Sequence, residues 1–157
     1  MKKGEAQVSA HYMVETDGRI FALVDEDKRA WHAGVSVWRG ETDINSNSIG
    51  IEIVNGGHDY GLPDYPAIQI TAVIALVRDI MGRHGIGPEG VVGHSDIAPG
   101  RKQDPGEKFP WDRLAEAGCA RVWRGPSNGD RYIQRLVCPV CDQRHAGAAA
   151  LHMTLPS

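Results

Sequence analysis

Residues 48–54, SIGIEIV, constrain the fold more than any other stretch of this chain. Strand side chains point alternately to opposite faces, so Ile49, Ile51 and Ile53 share one face while Ser48, Gly50, Glu52 and Val54 share the other. Such a strand needs an apolar layer over its isoleucines and sets Glu52 against a different environment. A covering layer is close at hand. From Pro66, a favoured first helical residue, Ile70, Val73, Ile74, Val77, Ile80 and Met81 recur at three- and four-residue spacing until Gly85, which predicts an amphipathic helix. Val91-Val92-Gly93 is a short buried strand ending at His94, and a Gly/Pro loop then runs to Pro110. The stretch PWDRLAEAG after it reads as a short helix stopped by Gly118. Upstream, the β-rich runs Val8 to Val14 and Arg19 to Val24 flank Asp17-Gly18, a hairpin signal. Strands alternating with helices place the chain in the α/β class.

Composition narrows the function. With 157 residues, 41% of them hydrophobic and 24% charged, the chain suits a globular domain rather than a disordered one. The longest apolar stretch, Ile68 to Met81, is shorter than the ~20 residues a bilayer requires and contains Arg78 and Asp79, so no membrane span is expected. A net charge of -3 gives no general electrostatic reason to bind nucleic acid. Charge is unevenly divided. Residues 1–117 carry a net charge of -6, whereas 118–157 carry +3 together with Cys119, Cys138 and Cys141 and the linker-like GPSNG at 125–129. A boundary is therefore expected near Gly118, separating a domain over 1–117 from a divergent tail over 118–157. Three cysteines do not make a disulfide framework, and no apolar segment comes after Lys2-Lys3, so a cytoplasmic location is expected.

The densest chemistry lies in GHSDIAPGRKQDPG, residues 93–106. A histidine at a strand end, and an aspartate returned ten positions later by a stiff loop, suit a shared zinc ion with ligand distances of ~2.0–2.2 Å. Lys102 lies two residues before Asp104, where its charge suits a developing oxyanion. The alternative is a surface loop in which His94 caps a strand and Asp104 opens a turn with Pro105-Gly106. In the tail, Cys138, Cys141, His145 and His152 form a C-x2-C-x3-H-x6-H pattern that suggests a small zinc site, although its histidine spacing exceeds the usual three to five.

The ordered segments VSAHYMV, DGRIFALVDE, AWHAGVS, NSNSIGIEIVN and VVGHSDIAPGRKQDPGEKFPW resemble the type 2 N-acetylmuramoyl-L-alanine amidases, zinc enzymes related to phage lysozyme-type amidases and peptidoglycan-recognition proteins. The likeness runs from about Val8 to Leu114. It implies a mixed central sheet flanked by helices, a Zn²⁺ cofactor held partly by His94 and Asp104, and Glu52 as general base. Lys102 would stabilise the oxyanion and His32 would line the substrate cleft. Peptidoglycan fragments or muropeptides are the implied partners, with hydrolysis of the amide between N-acetylmuramic acid and L-alanine as the implied reaction. Family members open with a strand in a motif like VLHYT, whose histidine is the first metal ligand. Here the chain starts MKKGEAQV, so that strand and ligand are expected to be absent and the domain N-terminally incomplete. A leader lost with that strand would change the compartment to periplasmic. His11 belongs to the later VSAHY motif, and alternation makes it a hydrogen-bonded sheet residue or a substitute ligand. Loss of a ligand leaves a second class in view, a non-catalytic peptidoglycan-binding module.

Overall fold

The computed structural model describes residues 9–121 and 148–155. Its centre is a five-stranded mixed sheet in the order β2-β1-β3-β5-β4, formed by β1 (Tyr12–Val14), β2 (Ile20–Ala22), β3 (Ser48–Val54), β4 (Val91–Gly93) and β5 (Ala148–Thr154). The expected hairpin is present: β1 and β2 run antiparallel, and Gly18 at its turn has φ +88°, a conformation that glycine adopts without penalty. β1 is parallel to β3, whereas β5 is antiparallel to both β3 and β4.

Helix α1 (Ala67–His84) covers one face of the sheet. Ile70, Val73, Val77 and Ile80 are fully buried with Ile49, Ile51 and Ile53 of β3 and Leu151 and Met153 of β5. Burial of each such side chain stabilises the fold by ~1.5–3 kcal/mol relative to its exposed state. Pro66 caps the helix from outside, and Gly85 ends it in the left-handed region with φ +65°, its N–H donating to the Met81 carbonyl. Gln69 ties helix to sheet, because its Nε2 donates to the Val54 carbonyl at 2.8 Å and the Val14 carbonyl at 3.2 Å. The short helix α3 (Trp111–Glu116) adds Leu114 to the same core.

One expectation is corrected. The 94–110 segment is not loop throughout, since His94–Ile97 forms a single helical turn, α2, whose Asp96 accepts the Gly93 N–H at 2.7 Å. No strand precedes β1 among the described residues, which begin at Ser9. β5 fills the position between β3 and β4, with seven residue pairs to β3 from Ser48↔Thr154 to Val54↔Ala148. The boundary expected at Gly118 thus leaves the last seven-residue strand inside the same sheet as residues 12–93. Cys138, Cys141 and His145 lie outside the described residues, and His152, the remaining member of that tail pattern, is a sheet residue.

The loop after β2 is anchored through Glu26. Its carboxylate accepts from the Tyr12 hydroxyl at 2.7 Å and from Arg83 and His84 at the end of α1. Burial alone would raise this carboxyl, but the hydrogen bonds from His84, Tyr12 and Arg83 outweigh it and hold it at about 2. A carboxyl depressed in the folded state contributes stability above its unfolded value of ~4.3, and that contribution is lost as pH falls towards the folded value. Urea unfolding should therefore show a loss on the order of 2 kcal/mol from pH 5 to pH 2 attributable to this group. Glu26→Gln should be less stable at pH 6 and should flatten that part of the pH profile; an unchanged profile would disconnect Glu26 from acid stability.

Candidate active site

The face of the sheet opposite α1 is polar. On β3 and β5 the register places Gly50 beside His152 and Glu52 beside Ala150, while Val92 of β4 flanks His152 from the other side. A second apolar cluster of Ala33, Ile44, Val92, Ile97 and Ala98 packs the 31–45 segment and α2 together. Within that segment the Asn45 side-chain oxygen accepts the backbone N–H groups of His32 and Ala33 at 2.9 and 2.8 Å. His32 is thereby held with its ring over Gly50. A Cβ at Gly50 would lie 2.4 Å from the His32 Cγ, so the missing side chain makes room for the imidazole.

His94 and Asp104 do converge. The N–H of Ser95 donates to the Asp104 carbonyl at 2.9 Å, closing the intervening loop, and His94 Nδ1 lies 3.1 Å from Asp104 Oδ2. Asp104 Oδ2 also accepts the Ala150 N–H at 3.2 Å, which joins this loop to β5. Burial would push the Asp104 carboxyl up, yet the hydrogen bond and charge of His94 and the charge of Lys102 prevail and lower it. Glu52 behaves oppositely: burial, reinforced by the Asp104 charge and opposed by Lys102, raises its carboxyl to about 7. One acid is thus kept ionised and its neighbour is poised near neutrality.

The histidines divide into distinct roles. His11 is buried and saturated, since its Nδ1 accepts the Gly50 N–H at 3.0 Å and its Nε2 donates to the Lys28 carbonyl at 3.0 Å. It stands just before β1 as a hydrogen-bonded structural residue, with both nitrogens engaged by backbone. His58 and His84 face carboxylates of Glu107 and Glu26. His32 is 4% exposed, and its Nδ1 meets His152 Nδ1 at 2.9 Å across 120 residues of sequence. The ring thus packs against another buried imidazole. His152 is fully buried, and its ring centroid lies 4.8 Å from that of His94. Burial first, and then the charges of His94 and His32, hold His152 well below the usual imidazole range; burial, His11 and His94 bring His32 to about 3. Both rings are therefore neutral, and each keeps a buried Nε2 with no hydrogen-bond partner.

Spacing in the sequence groups His152 with the tail cysteines. The signal that places it correctly is alternation: in ALHMT, residues 150–154, Leu151 and Met153 can face a core while His152 faces away.

Comparisons with known proteins identify the family. The model of the N-acetylmuramoyl-L-alanine amidase family matches residues 1–107. The chain belongs to that family. It is 49% identical over 142 residues to N-acetylmuramoyl-L-alanine amidase AmiD of Escherichia coli K12, covering 82% of this chain and 51% of that protein. It is also 42% identical over 107 residues to the 1,6-anhydro-N-acetylmuramyl-L-alanine amidase AmpD of Enterobacter cloacae, covering 68% and 55%. Among solved structures, the amidase AmiD from E. coli, in complex with the substrate anhydro-N-acetylmuramic acid-L-Ala-D-gamma-Glu-L-Lys, superposes with a TM-score of 0.69 at 42% identity. That match covers 77% of this chain and 52% of the other. AmpDh3 from Pseudomonas aeruginosa, in complex with anhydromuramic pentapeptide, gives 0.69 at 46% identity over 74% and 52%. The chain spans about half the length of the curated relatives it matches. No helix among the described residues is long and apolar enough to cross a membrane.

The close fit of His32 over Gly50 is open to a direct check. Gly50→Ala should lower the unfolding free energy by ~1–3 kcal/mol, the range for overpacking a filled interior, as measured by urea denaturation. Wild-type stability in this variant would mean that the ring moves aside freely.

Proposed function

We propose that the chain hydrolyses the amide between N-acetylmuramic acid and L-alanine in muropeptides, using a zinc ion held by His94, Asp104 and His152. The observation that carries this reading is the pairing of a half-buried Glu52, whose carboxyl is raised to about 7, with the low Asp104 carboxyl whose charge reaches it. Relatives solved with anhydromuramic peptides support the substrate class.

The donor set suits zinc in kind. Among the described residues no three histidine, cysteine, aspartate or glutamate side chains already form a ligand shell. His94 Nδ1 and Asp104 Oδ2 are nevertheless 3.1 Å apart, a separation two ligands of one tetrahedral ion can have, and His152 brings a neutral imidazole with an orphaned nitrogen next to them. Bound there, zinc would act as a Lewis acid towards the scissile carbonyl and the attacking water. Glu52, with its carboxyl near neutrality, takes the proton of that water and returns it to the departing amine. Lys102, whose charge already reaches Glu52 and Asp104, offsets the negative oxygen that develops on the former carbonyl. The surrounding interior holds the His32 and His152 imidazoles neutral, and for His152 this is the state that donates a lone pair to a metal. A binding module would have no use for a carboxyl tuned in this way.

The test uses the full chain, an anhydromuramyl tripeptide and metal analysis by mass spectrometry. Glu52→Gln should reduce turnover by at least ~100-fold while zinc content stays near that of the unmodified chain. His152→Ala and His94→Ala should each lose zinc, whereas His11→Ala should keep it. Full activity in Glu52→Gln removes the general base, and zinc lost through His11→Ala but retained in His152→Ala overturns the ligand assignment.

A further inference from the structure

We infer that Arg101 is a positioning residue for His94, acting through the backbone carbonyl of Ala33; the inference rests on the proposed zinc site. An imidazole that offers Nδ1 to a cation carries its proton on Nε2, and a buried N–H there needs an acceptor. His94 is 6% exposed, and the acceptor facing its Nε2 is the Ala33 carbonyl at 3.1 Å. That carbonyl belongs to an irregular segment whose Ala33 side chain packs against Val92 and Ile97 and whose Ala33 N–H is held by Asn45, but whose carbonyl lies outside any strand or helix ladder.

Arg101 holds the carbonyl itself. Its Nη2 donates to the Ala33 carbonyl at 2.6 Å and its Nε to the Val35 carbonyl at 3.0 Å, so one planar guanidinium grips both sides of Gly34. The backbone N–H of Arg101 donates to the Ala98 carbonyl at 3.1 Å, fixing the origin of the side chain in the turn after α2. The guanidinium passes 3.4 Å from His94 Nε2, against the edge of the ring opposite Asp104. Gly34 permits this approach. Its φ is +59°, and a Cβ there would stand 3.1 and 3.2 Å from the two Nη atoms. A lysine at 101 would offer a point charge with no rigid fork and could not match both carbonyls in this way.

The arrangement ties three segments together at the metal ligand: the loop carrying Ala33, the turn carrying Arg101 and the strand end carrying His94. Releasing the guanidinium removes the donor that aims the Ala33 carbonyl at His94 Nε2 and so loosens one side of the ring. Loss of an outer hydrogen-bond partner of a metal ligand costs ~10–100-fold in metal affinity or activity.

The experiment measures zinc dissociation constants by competition with a chromophoric chelator, together with the melting temperature of each metal-free protein, for the full chain and for Arg101→Ala, Arg101→Lys, Gly34→Ala and His94→Ala. Arg101→Ala and Gly34→Ala should bind zinc ~10–100-fold more weakly, with Arg101→Lys between them and the unmodified chain. KM for the muropeptide should change less than kcat, and the metal-free melting temperatures of the two Arg101 variants should stay close to that of the unmodified chain, whereas Gly34→Ala also carries the strain of a side chain at φ +59°. If Arg101→Ala does not fold, Gly34→Ala and Arg101→Lys decide the matter. Unchanged zinc affinity in both Arg101→Ala and Gly34→Ala, while His94→Ala loses the metal, overturns the inference alone. An affinity loss matched by an equal loss of metal-free stability, with no rescue by lysine, also overturns it in favour of a purely structural role. Equal zinc binding by the unmodified chain and His94→Ala defeats the zinc reading and takes this inference with it.

Discussion

The pairing of Ser48–Val54 with Ala148–Thr154 is the interaction on which the rest of the molecule depends. It joins distant parts of the chain into adjacent strands, and its alternation serves two faces at once. Leu151 and Met153 complete the apolar layer beneath α1, while His152 on the other face enters the polar side next to Gly50 and Val92. A shift of one residue would exchange the faces, putting an imidazole in the core and two apolar side chains in the site. The apolar layer thus fixes the register, and the register fixes where the histidine stands. The Ala150 N–H bonded to Asp104 adds a further tie between the strand and the ligand loop.

The electrostatics of the polar face depend on the exclusion of solvent. Burial disfavours charge, so His32 and His152 are neutral and the Glu52 carboxyl rises to about 7. Asp104 lies in the same interior but has His94 within hydrogen-bonding distance and stays low. Two carboxyls separated by local partners in this way can take different parts in one reaction, one as a permanent anion and the other as a proton carrier. The same desolvation makes the unpartnered Nε2 atoms of His32 and His152 costly, because a buried polar atom without a partner forfeits its solvation. A cation taken up by His152 would relieve part of that cost.

Much of the architecture was legible from local patterns. The isoleucine alternation of β3, the three- and four-residue spacing of α1, the Gly85 stop and the short β4 all depend on neighbours a few residues away, and all appear where their patterns fall. The convergence of His94 on Asp104 was likewise legible, because both lie in one compact motif. β5 was not. It begins with three alanines, residues of weak strand preference, and its β3 partners lie about a hundred positions earlier, so nothing nearby declares that a sheet has a place for it. The adjacent cysteine pair of CPVC drew His152 into a different pattern, one based on spacing where alternation was the better guide. For His11 alternation left a sheet residue or a substitute ligand open, and the backbone partners of both its nitrogens give it a structural place just before β1.

Arg101 was illegible for another reason. Its neighbours Lys102 and Asp104 have evident chemistry, whereas an arginine in a Gly/Pro loop looks like a solvated charge until the carbonyls it meets are known. Those carbonyls belong to residues more than sixty positions earlier, and side-chain identity does not encode them. Gly34 carries the complementary half of the arrangement, with a left-handed φ and no Cβ, and in a sequence it is one glycine among nineteen. Catalytic groups announce themselves by type, since few side chains can move a proton or hold a metal. The groups that aim them do so through backbone geometry, and any residue with the right reach serves; the shape of the loop, rather than the chemistry of its letters, is what selects arginine at 101 and glycine at 34.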